Sequence, residues 1–166
     1  MLQPVNRRTW APRGKTPLQY AWDRHDRISA IAALEFRPHS GRMKLHFGLQ
    51  NQNVRTADFK AWLRQLRRDI RRPIILVCDR YSVHRSAVKQ LQDEGCTWLT
   101  VEWLPSYAPD LNPAEAIWNH AKYVDLANYV PDDRADLWDR IAESLNDQHF
   151  KTPLLQSFLA RAGLKQ

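Results

Sequence analysis

Two carboxylates stand where this chain could do chemistry. Asp79 ends an unbroken apolar run, PIILVC (73–78), and Glu115 lies within LPSYAPDLNPAEAIW (104–118), which sets three prolines, an Asn and two carboxylates ahead of a helix-like stretch. Such an apolar run suits a strand buried on both faces of a sheet, and in an open α/β sheet ligands gather beyond the carboxyl ends of the strands. Asp79 is therefore a site candidate, although an Asp at that point also begins turns and caps helices. Two roles are open to Glu115. With Asn112 as N-cap and Pro113 as first helical residue, Glu115 takes the third position, from which a capping-box carboxylate reaches back to the N-cap amide. Capping alone does not account for the lead-in, where Pro105 and Pro109 fix φ and withdraw N–H donors. A rigid approach implies that the direction of Glu115 matters.

The two acids are 36 positions apart, and a strand, a helix and a neighbouring strand between them can bring both to one end of a sheet. Mg²⁺ takes one or two carboxylates and fills its remaining positions with water and substrate phosphate oxygens. The chemistry implied is metal-assisted phosphoryl transfer, in which one ion activates the attacking oxygen and another stabilises the leaving oxygen. The charge distribution suits a phosphate-rich partner. Residues 1–90 hold 19 Lys and Arg against 6 Asp and Glu, whereas the remaining residues reverse the balance, 6 against 12. A basic half beside an acidic half points to a polyanion, and nucleic acid is the commonest. Arg7, Arg8, Arg13 and Lys15 cluster in a Pro/Gly loop, and Arg64, Arg67, Arg68 and Arg71 form the outer side of an amphipathic helix; both are candidate DNA contacts, as is Lys122. A solvated Arg-rich surface would read the same way.

The elements that must position these groups follow from periodicity. LQYAW (18–22), RISAIAALEF (27–36) and MKLHFGL (43–49) alternate as antiparallel strands, with RPHSGR as the turn between the last two. From Thr56, taken as N-cap, the spacing of Phe59, Trp62, Leu63, Leu66 and Ile70 predicts a helix. PIILVC is then the central strand. HRSAVKQLQDEG predicts a short helix closed by Gly95, TWLTVEW (97–103) a strand, and Pro113 to Tyr123 a helix, with two more around Ile141 and Phe158. Strands first and alternating elements afterwards describe one α/β domain, a mixed sheet flanked by helices, over residues 1–166. The chain has no apolar run long enough to span a membrane and no apolar leader at its start, so a cytoplasmic protein is expected. Cys78 and Cys96 lie in apolar stretches without Cys-x-x-Cys or His-flanked spacing, and read as reduced core residues rather than a disulfide or structural zinc site.

CDRYSVH (78–84), followed by LPSYAPDLNPAEAIWNHAKY (104–123), resembles the catalytic core of DDE transposases of the mariner superfamily, in its bacterial insertion-sequence branch, and RRTWAPRGKTP (7–17) is similar to a further block of that branch. The resemblance implies an RNase H-like fold, Mg²⁺ or Mn²⁺ at three acidic residues, and DNA strand cleavage followed by strand transfer. Asp79 matches the second acid and Glu115 the third. The first acid of the family precedes the RRTWAPRGKTP block, and residues 1–22 hold no Asp or Glu; Asp23 and Asp26 follow that block. The expectation is a partial catalytic domain, lacking the first strand, the first acid and the N-terminal helix-turn-helix region, and impaired in cleavage by itself. A non-enzymatic role is the alternative, as a DNA-binding remnant that modulates full-length transposase. Transposon and target DNA, a second copy or a full-length transposase are the implied partners, in a bacterial, nucleoid-associated setting. His84 either orients Asp79, contacts a phosphate or bonds to backbone, and Asn112 caps its helix and supports Glu115.

Overall fold

A computed structural model describes residues 5–15, 17–18, 28–106 and 108–164. The strand expected at 18–22 lies, but for Leu18, outside the described residues, as do Asp23 and Asp26. Strands β1 (Ser29–Arg37) and β2 (Arg42–Gln50) form an antiparallel hairpin with Ala33 opposite His46. One face carries Ile31 and Ala33; the other carries Ala30, Ala32, Leu34 and Phe36 beside Met43, Leu45, Phe47 and Leu49. Both faces are apolar because both are covered. The His46 Nε2 and Arg37 Nε groups reach Glu35 at 2.8 and 2.5 Å. Burial pushes the Glu35 carboxyl up, but these bonds outweigh it and leave the group below the ordinary carboxylate range.

Helix α1 (Thr56–Ile70) follows. Its N-cap is Arg55, one residue before the expected Thr56, because the Asp58 carboxylate accepts the Arg55 N–H at 2.9 Å and satisfies that amide from the first turn. Strand β3 (Ile74–Cys78), helix α2 (Ser82–Asp93) and strand β4 (Leu99–Trp103) form a strand, helix, parallel-strand unit, with Cys78 opposite Trp103. Gly95, at φ +77°, ends α2 as predicted: its N–H bonds Gln92 O at 2.9 Å and the Cys96 N–H bonds Leu91 O at 3.0 Å, the paired closure that a left-handed residue permits. A 3₁₀ turn (Pro109–Leu111) then leads into α3 (Pro113–His120), a π-helical turn (Ala121–Asp125), α4 (Arg134–Phe150) and α5 (Thr152–Arg161).

Two apolar clusters hold these elements. Phe59, Leu63 and Leu66 of α1 meet Ile74 of β3 and Ala87 and Leu91 of α2. Met43 and Leu45 of β2 meet Ile117, Ile141, Leu145, Leu155 and Phe158 of the three later helices. The hairpin contributes to both, through the opposite faces of β1. The expected single mixed sheet is not formed among the described residues, where β1–β2 and β3–β4 are two separate pairs. Nor is β3 buried on both faces: Ile75 is 73% and Val77 50% exposed. Helices α1 and α2 cover one face of β3, while α3, α4 and α5 pack on β1 and β2. An apolar run marks a strand without saying which of its faces a neighbour will cover.

This layering makes equal-looking apolar residues unequal. Leu63→Ala, at a fully buried position, should cost about 2–5 kcal/mol, and Ile75→Thr, on the open face, should stay within about 0.5 kcal/mol of wild type. Urea unfolding followed by circular dichroism measures both, and similar destabilisation at the two sites would contradict the layering.

Candidate active site at the carboxyl ends of two parallel strands

Asp79 follows the last residue of β3, and the parallel pairing continues past it on the neighbouring strand: the Leu104 N–H donates to Cys78 O at 2.9 Å. Arg80 Nε donates to Leu104 O at 3.2 Å. The start of the proline-rich loop is thereby tied to residues on both sides of Asp79. The Asp79 side chain is itself held, with Oδ1 accepting the Tyr81 N–H at 3.0 Å and meeting His84 Nδ1 at 2.6 Å. An ionised carboxylate can only accept, so the shared proton sits on Nδ1. Both bonds fall on Oδ1, and Oδ2 takes neither.

His84 is the third residue of α2, and its ring is fixed from two sides. The Phe59 ring lies 4.2 Å away at 32°, and the Tyr81 ring meets it edge-on at 5.5 Å. His84 Nδ1 thus bonds the Asp79 carboxylate. Cys78 Sγ approaches the same Nδ1 at 3.4 Å. Burial, and then the negative charge of Asp79, push the Cys78 thiol up to about 12. Cys78 and Cys96 are both free thiols. Sequence spacing hides the proximity of Cys78 to His84, since the interval between them is no familiar ligand pattern; a strand end and a helix start bring the two together.

Asn112 and Pro113 take the positions read from the sequence, N-cap and first helical residue of α3. Asn112 Oδ1 accepts the Ala114 N–H at 3.1 Å. The Asn112 N–H, however, donates to Pro109 O at 3.0 Å inside the 3₁₀ turn. The return arm of a capping box would need that same N–H, so the turn relieves Glu115 of the capping duty expected of it. Glu115 is exposed in the first turn of α3, where a carboxylate also complements the helix dipole. Asp79 Oδ2 and the Glu115 carboxylate are hard oxygen donors of the kind Mg²⁺ and Mn²⁺ accept. The group of ligand atoms lying within 4.8 Å of one another consists, among the described residues, of Cys78, Asp79 and His84; Glu115 is outside it.

The basic candidates divide. Arg8, Arg13 and Lys15 are exposed on the N-terminal loop. Arg7 is anchored, its N–H on Asn128 Oδ1 at 2.6 Å and its Nη1 on Tyr123 O at 2.5 Å, which pins that loop beside the π-helical turn containing the half-buried Lys122. On α1, Arg64 pairs with Glu94 at 2.5 Å, Arg68 spends its guanidinium on Gln65, Arg67 is half-buried, and Arg71 caps the helix at φ 57°. The α1 face is thus partly neutralised by α2, a contact that helical spacing could not reveal. His120 faces Asp125 at 3.6 Å and Trp118 packs against the helical cluster.

A family model described as DDE superfamily endonuclease matches residues 1–137. No curated protein matches the chain. Among solved structures, the crystal structure of the Mos1 strand transfer complex shares the fold with a TM-score of 0.54 at 17% identity, over 96% of this chain and 48% of that one. The chain thus spans about half the length of that relative. The mixed α/β fold expected from the sequence is the one the two have in common.

The enclosure of Cys78 sets its reactivity. In a Cys96→Ser background, alkylation of Cys78 by iodoacetamide at pH 8 should be at least about tenfold slower in the native protein than in urea, because the thiolate is the nucleophile. Equal rates would show that neither burial nor Asp79 holds the thiol protonated.

Proposed function

The chain belongs to the DDE superfamily endonucleases, and on that premise we propose that it is the catalytic portion of a DNA transposase of the mariner superfamily's bacterial insertion-sequence branch. The observation that supports this reading is the bond between the Leu104 N–H and Cys78 O, which ties the start of the loop that leads to Glu115 to the strand end that precedes Asp79. Asp79 and Glu115 would hold Mg²⁺ or Mn²⁺, with His84 fixing the rotation of Asp79 and Asn112 fixing the start of the Glu115 helix. A divalent cation bound there supplies activation of the attacking oxygen and charge stabilisation at the leaving oxygen of a DNA phosphodiester. Among the described residues, the chain's own contribution is to present Asp79 Oδ2 without a competing bond and Glu115 without a capping bond. Arg8, Arg13 and Lys15 would track the DNA backbone, and assembly on paired DNA ends fits a homodimer or a pairing with full-length transposase. Among the described residues no helix is long and apolar enough to cross a membrane; a DNA substrate in a bacterial cell implies action at the nucleoid.

A second reading is a DNA-binding partner that modulates an intact transposase, which the exposed Arg8, Arg13 and Lys15 of the N-terminal loop favour. The two readings part in a nicking assay on supercoiled DNA with Mn²⁺. Nicking that Asp79→Asn and Glu115→Gln each abolish supports the enzyme. Nicking that survives both substitutions overturns this site, and DNA binding without nicking selects the modulator.

Binding itself has a salt signature. Replacing Arg8, Arg13 and Lys15 together by Ala should lower the slope of log K against log salt by about 0.9 for each phosphate that those side chains neutralise. Arg64→Ala should change it less, since Glu94 already holds that guanidinium. Filter binding across a salt series reads both, and an unchanged slope in the triple variant would remove the N-terminal loop from the interface.

A further inference from the structure

We propose that Cys78, Asp79 and His84 form a soft-metal site that takes Zn²⁺ and, in doing so, withdraws Asp79 from the hard-cation role. Three different donor types converge here. Sγ lies 3.4 Å from His84 Nδ1, Nδ1 lies 2.6 Å from Asp79 Oδ1, and all three residues offer ligand atoms within 4.8 Å of one another. Nδ1 is the common apex, and the proton it shares with Asp79 occupies the place a metal would take. Tetrahedral zinc with ordinary bond lengths sets sulfur and nitrogen ligands about 3.6 Å apart and nitrogen and oxygen ligands about 3.4 Å apart. The first edge is already near that value. The second must open by roughly an ångström or less as the hydrogen bond gives way to coordination.

The surroundings favour such a site. The ring of His84 is held between Phe59 and Tyr81, and Cys78 ends a strand whose register is fixed by β4, so two of the three ligands need little ordering on binding. Asp79 is half-buried at the strand end, where a fourth position can remain open to water. Thiolate and imidazole select Zn²⁺ over Mg²⁺, which accepts oxygen ligands and keeps its waters. Binding replaces the S–H bond by an S–Zn bond and the thiol proton leaves to solvent, while the ring proton passes from Nδ1 to Nε2, so that a neutral imidazole ligates through Nδ1; no oxidant is involved. Asp79 cannot serve both ions in full, so Zn²⁺ and Mn²⁺ would compete for it.

The site itself stands independently of the transposase reading; only the competition rests on it. Chelator-treated full-length chain titrated with Co²⁺ alone should develop a near-ultraviolet thiolate-to-metal charge-transfer band. The band should persist in Cys96→Ser and vanish in Cys78→Ser. It should be lost on one equivalent of Zn²⁺ and withstand a large excess of Mg²⁺. His84→Ala should weaken Co²⁺ binding by at least about tenfold, since even groups that merely orient a ligand cost that much; this variant decides the matter if Cys78→Ser fails to fold. No thiolate band in the wild type, a band carried by Cys96, or unchanged affinity in His84→Ala would each overturn the site. Electron paramagnetic resonance of bound Mn²⁺ then tests the competition: release by Zn²⁺ in the wild type but not in Cys78→Ser supports it, and retention in both refutes it.

Discussion

The parallel pairing of β3 with β4 is the constraint on which the rest depends. Five residue pairs, Ile74 with Leu99 through Cys78 with Trp103, fix the register, and the bond from Leu104 N–H to Cys78 O carries it one step past the strands. Because side chains alternate along a strand, a slip of one residue would reverse every one of them. Register therefore decides two things together. It sends Cys78 toward the α1–α2 side, where His84 stands, and it sets the departure point of the loop that leads to Glu115. The Arg80 bond to Leu104 O adds a second clip across the same junction.

What lies beyond the strands is set by how backbone donors are satisfied. A helix start has four amide positions to place, and α3 assigns them economically: Pro113 has no N–H, Ala114 uses Asn112 Oδ1, the Glu115 N–H uses Asn112 O, and Asn112 itself uses Pro109 O. Each of these partners is local, so nothing is asked of the Glu115 side chain. The prolines of the loop thus do more than stiffen it. By supplying the carbonyl of the 3₁₀ turn, Pro109 takes over the bond that would otherwise fold Glu115 back onto its own helix.

Much of this is legible in the sequence because it is local. Amphipathic spacing locates α1, α4 and α5, Gly95 closes α2, and the Asn-Pro pair starts α3, each through chemistry within a few residues. The α1 start shifts by one because Asp58 satisfies the Arg55 amide, a choice that spacing leaves undetermined. What does not show is what depends on long-range neighbours. PIILVC reads as doubly buried, yet the helices that could cover Ile75 and Val77 pack on the hairpin instead. The Arg64 charge reads as free, yet Glu94, thirty positions away, meets it. Cys78 reads as core, and only the fold sets it against His84. In each case the residue type is informative and its partner is not.

The uneven covering of β3 bears on how firmly the site is held. The strand is supported on one face by Phe59, Leu63 and Leu91 and on one edge by β4, while its other face carries two exposed apolar side chains. Among the described residues its second edge has no strand partner, and neither has the far edge of β1, although Ile31 and Ala33 rest on the same apolar cluster as Ile74 and Leu76. Unpaired edges and exposed apolar faces are where extended segments add. Hence, beside the Tyr81 N–H and the ties to Leu104, the Asp79 side chain is held from the helical side, through the tilted Phe59–His84 contact and the His84 bond. His84 is then the member of the site whose removal would be felt furthest, since its ring joins the carboxylate to the packed core.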